Sequence, residues 1–534
     1  IIQELQTNAF GKLKFVNCPV DKPAQYLRLA DNTDMKHIMK LIEEIWGMLK
    51  HKRKPNLAIS VVGGTKHLSL NGKKREALKK AILAAAQPTN AWFVTEGINM
   101  GCSKLIGEIV KEGQFYIKCK EDKSLTNMTR GLKAIGICSW QFTAKQESLV
   151  NKDNLRRTVS YDSKYSDYDD TKKTYKSPGI NDTKPSLDQN HTHFLLVDNG
   201  REQEEYDREV TKLFYGDFLD KLRQAKSAGG LEIPLITLVL EGGTTAIKKV
   251  LDSLDRKVPC VIVQGSGGAA DIIAFACKKE NEENENFKQN LEKIIKEKIV
   301  TAKDNVDKKQ EIKDMIFQIS HNHPQNMITI INLDKEEEDR DKKILFALLL
   351  GNNFDLKKQM WFTLRSNRAD IASELIENNI ENQLDTSFKN ELMEFIILKE
   401  RVELLELFLI NDFSLHQFLD AEMLKKLYNK SAKAHPEVRQ QIQKFTDLEE
   451  DEKKEISLEH IDQFIKVFMR NHNHEEYYDE KGKDYETKLR IKFHADYEHS
   501  ESFDDPHFEL FIWAVLCNKP TLLDFFLTKT RQPL

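Results

Sequence analysis

Six short apolar runs, each closing on glycine or a small polar residue and separated by amphipathic segments, restrict what this chain can fold into. They are "PNLAISVVGG" (55–64), "AWFVTEGINMG" (91–101), "LKAIGICSW" (132–140), "HFLLVDNG" (193–200), "PLITLVLEGG" (234–243) and "VPCVIVQGSGG" (258–268). Continuous β-branched or aromatic runs of this kind suit strands covered on both faces, as in a parallel sheet. Between them, "KREALKKAILAAAQ" (74–87), "SKLIGEIVKEG" (103–113), "REVTKLFYGDFLDKLRQA" (208–225) and "TAIKKVLDSLDR" (245–256) read as helices. Strands and helices alternating over short connections predict a doubly wound, Rossmann-like α/β domain over residues 1–280. One interruption, 151–190, is polar and aperiodic from Arg156 on and reads as an exposed, flexible insertion.

After Lys279 the composition turns strongly charged, and 281–343 reads as a charged helical linker. From Ile344 strand patterns vanish. Three segments of the remainder resemble one another: "WFTLRSNRADIASELIEN" (361–378), "EFIILKERVELLELFLIN" (394–411) and "LFIWAVLCNKPTLLDFFLTK" (510–529). Each is an apolar helix, a polar break (Asn367-Arg368, Glu400-Arg401, Asn518-Lys519) and a second apolar helix. Such units bury their apolar faces only by stacking, which predicts an all-α, ankyrin-like helical-repeat domain over 344–534.

In a doubly wound domain the loops at the carboxyl ends of the strands converge, and here four of them carry glycine: "GGTK" (63–66), "EGINMG" (96–101), "EGGTT" (241–245) and "GSGG" (265–268). Loops and helix N-termini at that edge aim backbone N–H groups outward, and glycine lets the backbone approach a phosphate. The candidate binding residues are therefore Val62, Gly63, Gly64, Thr65 and Lys66 in the first loop and Gly97, Asn99 and Gly101 in the second. The third contributes Glu241, Gly242, Gly243, Thr244 and Thr245, and the fourth Gly265, Ser266, Gly267 and Gly268. Neither a GxGxxG fingerprint with a spaced acidic partner nor a Walker GxxxxGK[ST] is present.

Catalytic constellations are scarcer. Glu96 and Glu241 adjoin glycine turns, where each suits a general base, a ribose-binding carboxylate or an acceptor for neighbouring backbone donors. "HTH" (191–193) would point two imidazoles to one face of a strand, but no third metal ligand can be placed beside them. Ser266 and Cys102 have no histidine near them in sequence. No catalytic and no metal-binding residue is assigned.

The charge balance, 81 basic against 85 acidic residues in 534, calls for neither a nucleic-acid partner nor an anionic membrane. Seven cysteines without a CxxC pair favour a reducing, cytosolic compartment. No apolar stretch approaches the roughly 20 residues that span a bilayer, and the opening "IIQELQTNAF" has no signal-peptide pattern. Opening without Met, the chain reads as a piece of something longer.

In their order and spacing, "PNLAISVVGGTKHLSL", "AWFVTEGINMGCSKLIGEIV", "AIGICSW", "NHTHFLLVDNG", "LVLEGGTTAIKKVL", "PCVIVQGSGGAADIIAF" and "LFIWAVLCNK" resemble the cytosolic N-terminal region of melastatin-type transient receptor potential (TRPM) cation channels. The resemblance implies a SLOG-type α/β domain followed by helical repeats, a non-enzymatic regulatory and assembly region on the cytoplasmic side of a plasma-membrane, calcium-permeable, homotetrameric channel. Its partners would be the other subunits, and it would meet the membrane only through a pore beyond Leu534.

In some members the α/β domain binds ADP-ribose or a related nucleotide, and no other cofactor is implied. The matching positions here are Val62 to Lys66, Tyr206, Gly242 and Gly243. Where ADP-ribose-binding members carry arginine directly after "GSG", this chain has Gly268; a second arginine downstream of Tyr206 is replaced by Lys212 or Leu213. Two bidentate phosphate contacts are thereby lost, each about 1.5–3 kcal/mol. Two other readings remain: a soluble nucleotide-processing enzyme of the phosphoribohydrolase-like class with Glu241 or Glu96 as base, and an interaction scaffold without ligand.

Overall fold

The apolar runs form strands of one sheet. The computed structural model describes residues 5–16, 23–49, 54–64, 68–119, 132–151, 158–159, 172–175, 184–200, 209–278, 287–299, 306–335, 339–351, 354–379, 384–411, 413–446, 448, 455–471, 503 and 505–530. They divide into two units, Ile1–Asp355 and Leu356–Leu534.

The first unit contains β1 (Leu5–Gln6), β2 (Phe10–Phe15), β3 (Ala24–Ala30), β4 (Ala58–Gly63), β5 (Trp92–Thr95), β6 (Lys133–Ser139), β7 (Thr158–Val159), β8 (Lys172–Tyr175), β9 (His193–Asp198), β10 (Leu235–Leu240), β11 (Cys260–Gln264) and β12 (Ile328–Asn332). Ten of them make a sheet in the order β12-β11-β10-β4-β5-β6-β9-β3-β2-β8. Every neighbouring pair is parallel except β2 with β3. The six expected strands are β4, β5, β6, β9, β10 and β11. They lie side by side in the middle, and β9 and β10 are buried at every position.

Helices cover the sheet: α1 (Met35–Lys40), α2 (Gly72–Thr89), α3 (Gly101–Cys119), α4 (Glu209–Arg223), α5 (Thr244–Asp255), α6 (Gly268–Ala276), α7 (Phe287–Lys298), α8 (Val306–His321) and α9 (Arg340–Gly351). Strand alternation sends Leu195 and Val197 into a core with Trp92, Ile135, Ile38 and Phe218, and Phe194 and Leu196 into another with Leu13, Tyr26 and Tyr175. A third core joins Val239 and Ile262 to Ile247, Ile272, Leu291 and Ile316. Each fully buried aliphatic of this kind contributes about 1.5–3 kcal/mol.

Two expectations are corrected here. The charged segment 281–343 is not a linker: β12 extends the sheet beside β11, and α7 and α8 bury Leu291, Ile295, Ile312 and Ile316 in the third core. Charge on its outer faces masked an apolar stripe at helical spacing. Within 151–190, much of which lies outside the described residues, β8 pairs with β2, and Tyr175 is fully buried with its hydroxyl donating to Ala144 O at 2.8 Å.

The second unit is helical: α10 (Leu356–Ser366), α11 (Ala369–Asn379), α12 (Thr386–Leu398), α13 (Val402–Ile410), α14 (Leu415–Phe418), α15 (Ala421–Ala434), α16 (Pro436–Phe445), α17 (Leu458–Asn471), α18 (Pro506–Leu516) and α19 (Pro520–Lys529). The three expected breaks share one geometry. Asn367, Glu400 and Asn518 are left-handed, with φ of 52°, 55° and 51°. The amide after each reaches back five residues, Arg368 to Thr363 O at 3.0 Å, Arg401 to Ile396 O at 3.1 Å and Lys519 to Ala514 O at 2.8 Å. These are Schellman ends, which satisfy the last carbonyls of one helix while starting the next. Among the described residues, no helix of either unit is long and apolar enough to cross a membrane.

Candidate functional site

Parallel register brings the carboxyl ends of β4, β5, β10 and β11 to one edge, and with them the glycine loops. The loops are bonded to one another. Gly64 N–H donates to Leu240 O at 3.0 Å, and Cys102 N–H, at the start of α3, donates to Gly64 O at 2.9 Å. Gly63 and Gly64 thus meet Leu240 and Gly242 on one side and Cys102 on the other. Thr65, Lys66 and Tyr206 lie outside the described residues.

The loop Gly265–Gly268 is tied down on every side. Ser266 Oγ donates to Val263 O at 2.6 Å and accepts from Glu241 N–H at 2.9 Å. Gly265 N–H donates to Asp271 Oδ1 at 2.7 Å, and Lys298 on α7 donates to Asp271 Oδ2 at 2.9 Å. That bond holds the Lys298 ammonium above its ordinary range. On the other flank Lys74 Nζ donates to Gly265 O at 3.3 Å and pairs with Asp334. The segment expected as a linker therefore supplies Lys298 and Asp334, two supports of this loop.

The first amides of α6 are occupied as well. Ala269 N–H donates to Gly242 O at 2.7 Å and Ala270 N–H to Glu241 O at 3.2 Å. An α-helix leaves its first amides for an outside acceptor, and here the acceptors are the carbonyls of the neighbouring loop. α5 differs. Its N-cap is Gly243, which has no side chain to offer; Ala246 and Ile247 donate to Gly243 O, and among the described residues nothing in the protein accepts from Thr244 or Thr245 N–H. Between the N-termini of α5 and α6, α5 is the one with donors to spare for an anion.

Beside this edge a cleft is lined by Ser60, Val62, Glu96, Lys212, Tyr215 and Lys249. Glu96 Oε1 accepts from Lys249 Nζ at 3.0 Å, and the ammonium lies 5.3 Å from the centre of the Tyr215 ring. Glu96 therefore stands as the partner of a lysine. Ser266, 1% exposed and fully engaged, is a structural hydroxyl.

The two imidazoles of 191–193 do not share a face. His193 packs on Trp46, ring centres 4.9 Å apart, while His191 precedes the strand and lies against Phe194 at 5.9 Å. Alternation governs residues within a strand, and His191 is outside it. Sequence reasoning missed Lys249, Lys298, Asp334 and the contacts of His191. Lys298, Asp334 and His191 reach the loops from other elements, Lys249 stands on the helix that follows the third loop, and only the charge of the lysines signalled them.

A family model described as SLOG in TRPM matches residues 24–319, and one described as TRPM2-like domain matches 379–533. The chain is 29% identical over 554 residues to "Transient receptor potential cation channel subfamily M member-like 2" of Nematostella vectensis, covering 99% of this chain and 33% of the relative. It is 28% identical over 444 residues to subfamily M member 2 of Mus musculus, covering 80% of this chain and 27% of the relative. With subfamily M member 6 of Homo sapiens the identity is 27% over 424 residues, covering 79% and 19%. The chain thus spans a third or less of the length of these relatives.

Proposed function

The chain belongs to the TRPM family, and from that premise we propose that it is the cytosolic regulatory and assembly region of a calcium-permeable cation channel, with a nucleotide-sensing site at the carboxyl edge of its sheet. The first unit is the nucleotide-binding-like part, the helices from Leu356 on stack as ankyrin-like repeats, and the partners are the other subunits of a homotetramer at the plasma membrane. The ligand is ADP-ribose or a related nucleotide.

The observation that carries this reading is the bonding of three carboxyl-edge loops around the α5 N-terminus, whose Thr244 and Thr245 amides have no protein acceptor among the described residues. One phosphate at that N-terminus would take the Thr244 and Thr245 amides, beside a cleft in which Lys212 and Lys249 stand with Glu96. A ligand that favours one arrangement of the cytoplasmic assembly then shifts channel gating by its difference in affinity for the two states. Calorimetry of the chain with ADP-ribose, cyclic ADP-ribose, AMP and ATP tests the reading. Heat and a thermal shift with at least one of them support it, and silence with all four refutes it.

A second reading, a scaffold without ligand, draws on the α6 N-terminus. Its amides serve the Gly242 and Glu241 carbonyls, so part of the glycine content is there for loop-to-loop packing. Silence in the same titration is what that reading expects.

A further inference from the structure

The loop after β5 is held from beneath by a buried chain of side chains. Thr95 Oγ1 lies 2.8 Å from His191 Nε2, and His191 Nδ1 lies 2.9 Å from Asp188 Oδ1. The three residues are 0%, 2% and 1% exposed. Hydroxyl, imidazole and carboxylate in this order resemble a hydrolytic triad, but Thr95 is closed to solvent and its oxygen already accepts Gly97 N–H at 2.8 Å. The carboxylate accepts from Nδ1–H, which leaves Nε2 to accept from the Thr95 hydroxyl and the Thr95 oxygen free to accept from Gly97.

Backbone contacts close the same circuit. Asp188 N–H donates to Gly97 O at 2.9 Å, Asn99 N–H donates to Ser186 O at 2.9 Å, and Ile98 bridges to Leu187. Behind Asp188 stands α3, where a Cβ on Gly107 would lie 2.1 Å from Asp188 Oδ1. Loop 96–101 and segment 186–191, far apart in sequence, are one latched body.

We infer that Asp188, His191 and Thr95 are positioning residues that set the place of loop 96–101, and with it the affinity of the carboxyl-edge site, without touching the ligand. The inference rests on the nucleotide reading for its second half only. Buried hydrogen-bonded chains hold one geometry because a half-broken chain leaves polar groups unmet.

Hydrogen exchange on the unliganded chain, with ADP-ribose calorimetry beside it, tests this. In Thr95→Val the amides of 96–101 and 186–191 should exchange about tenfold faster while those of 241–245 hold their rate, and Thr95→Ser should restore the wild-type pattern. Gly107→Ala should release the same two segments by displacing Asp188. Where the wild-type chain binds ADP-ribose, Thr95→Val should weaken binding about tenfold and Thr95→Ser should not. Unchanged exchange in both Thr95→Val and Gly107→Ala, or an equal rise across the whole sheet, overturns the latch. Absence of binding of ADP-ribose, cyclic ADP-ribose, AMP and ATP alike to the wild type overturns the nucleotide reading and leaves exchange to decide the latch. Faster local exchange with unchanged affinity overturns the claim that the latch tunes the site.

Discussion

Gly268 lies on the backbone of Gly242: a Cβ at Gly268 would stand 2.2 Å from Gly242 O, the same oxygen that accepts Ala269 N–H at 2.7 Å. Two loops that follow adjacent strands are thereby locked into one surface. A side chain at 268 faces both this clash and a φ of +50°.

Gly268→Ala should destabilise the first unit by about 2 kcal/mol, because a non-glycine residue in the left-handed region costs roughly 1–3 kcal/mol and the contact is with backbone that cannot swing away. Gly243→Ala should change stability little: nothing lies within 4 Å of its would-be Cβ and its φ is negative. Thermal denaturation of the two variants side by side checks the contrast.

Lys519 Nζ donates to Glu400 Oε1 at 3.0 Å, and Thr521 Oγ1 donates to Glu400 Oε2 at 3.0 Å, joining two of the three Schellman turns. The lysine side chain is 8% exposed, so an unpaired ammonium there is costly. Glu400→Ala, Lys519→Met and the double variant should be non-additive, with a coupling of about 1 kcal/mol in urea unfolding. Additive effects would mean that the turns are held by their backbones alone.

Acid should weaken the first unit through His193. Burial and then the nearby Lys133 push this imidazole well below its ordinary range, and it sits between Trp46 and the Thr192 hydroxyl, 2.8 Å from Nδ1. The folded state keeps it neutral while the unfolded chain protonates near pH ~6.5. The stability it contributes is thus present above that pH and is lost as pH falls below it. Urea midpoints at pH 7.5 and 5.5 should separate in the wild type, and His193→Gln should narrow the gap.

The middle of the sheet was legible because strands buried on both faces must be largely apolar, as β9, β10 and β4 are. The outer strands were not: β2 ("FGKLKF") and β3 ("AQYLRLA") mix charged and apolar residues, and β12 hides inside a charged segment. The helix breaks were readable from Asn367, Glu400 and Asn518, since asparagine tolerates the left-handed conformation and each opens a polar pair within apolar helices. At the candidate site the glycine loops announced themselves. That the α6 amides are spent on Gly242 and Glu241, while those of α5 are not, depends on how two loops pack, and no local pattern encodes it. The Thr95–His191–Asp188 chain was hidden for the same reason: 96 residues separate Thr95 from His191.

The most direct test of the carboxyl-edge site is amide hydrogen exchange of this chain with and without saturating ADP-ribose. Protection should rise at 62–64, 97–101 and 243–245, with Thr244 and Thr245 most affected and Ala269 and Ala270, already bonded to Gly242 and Glu241, unchanged. Exchange that ADP-ribose leaves untouched at these three loops, or protection confined to another part of the chain, would contradict the account.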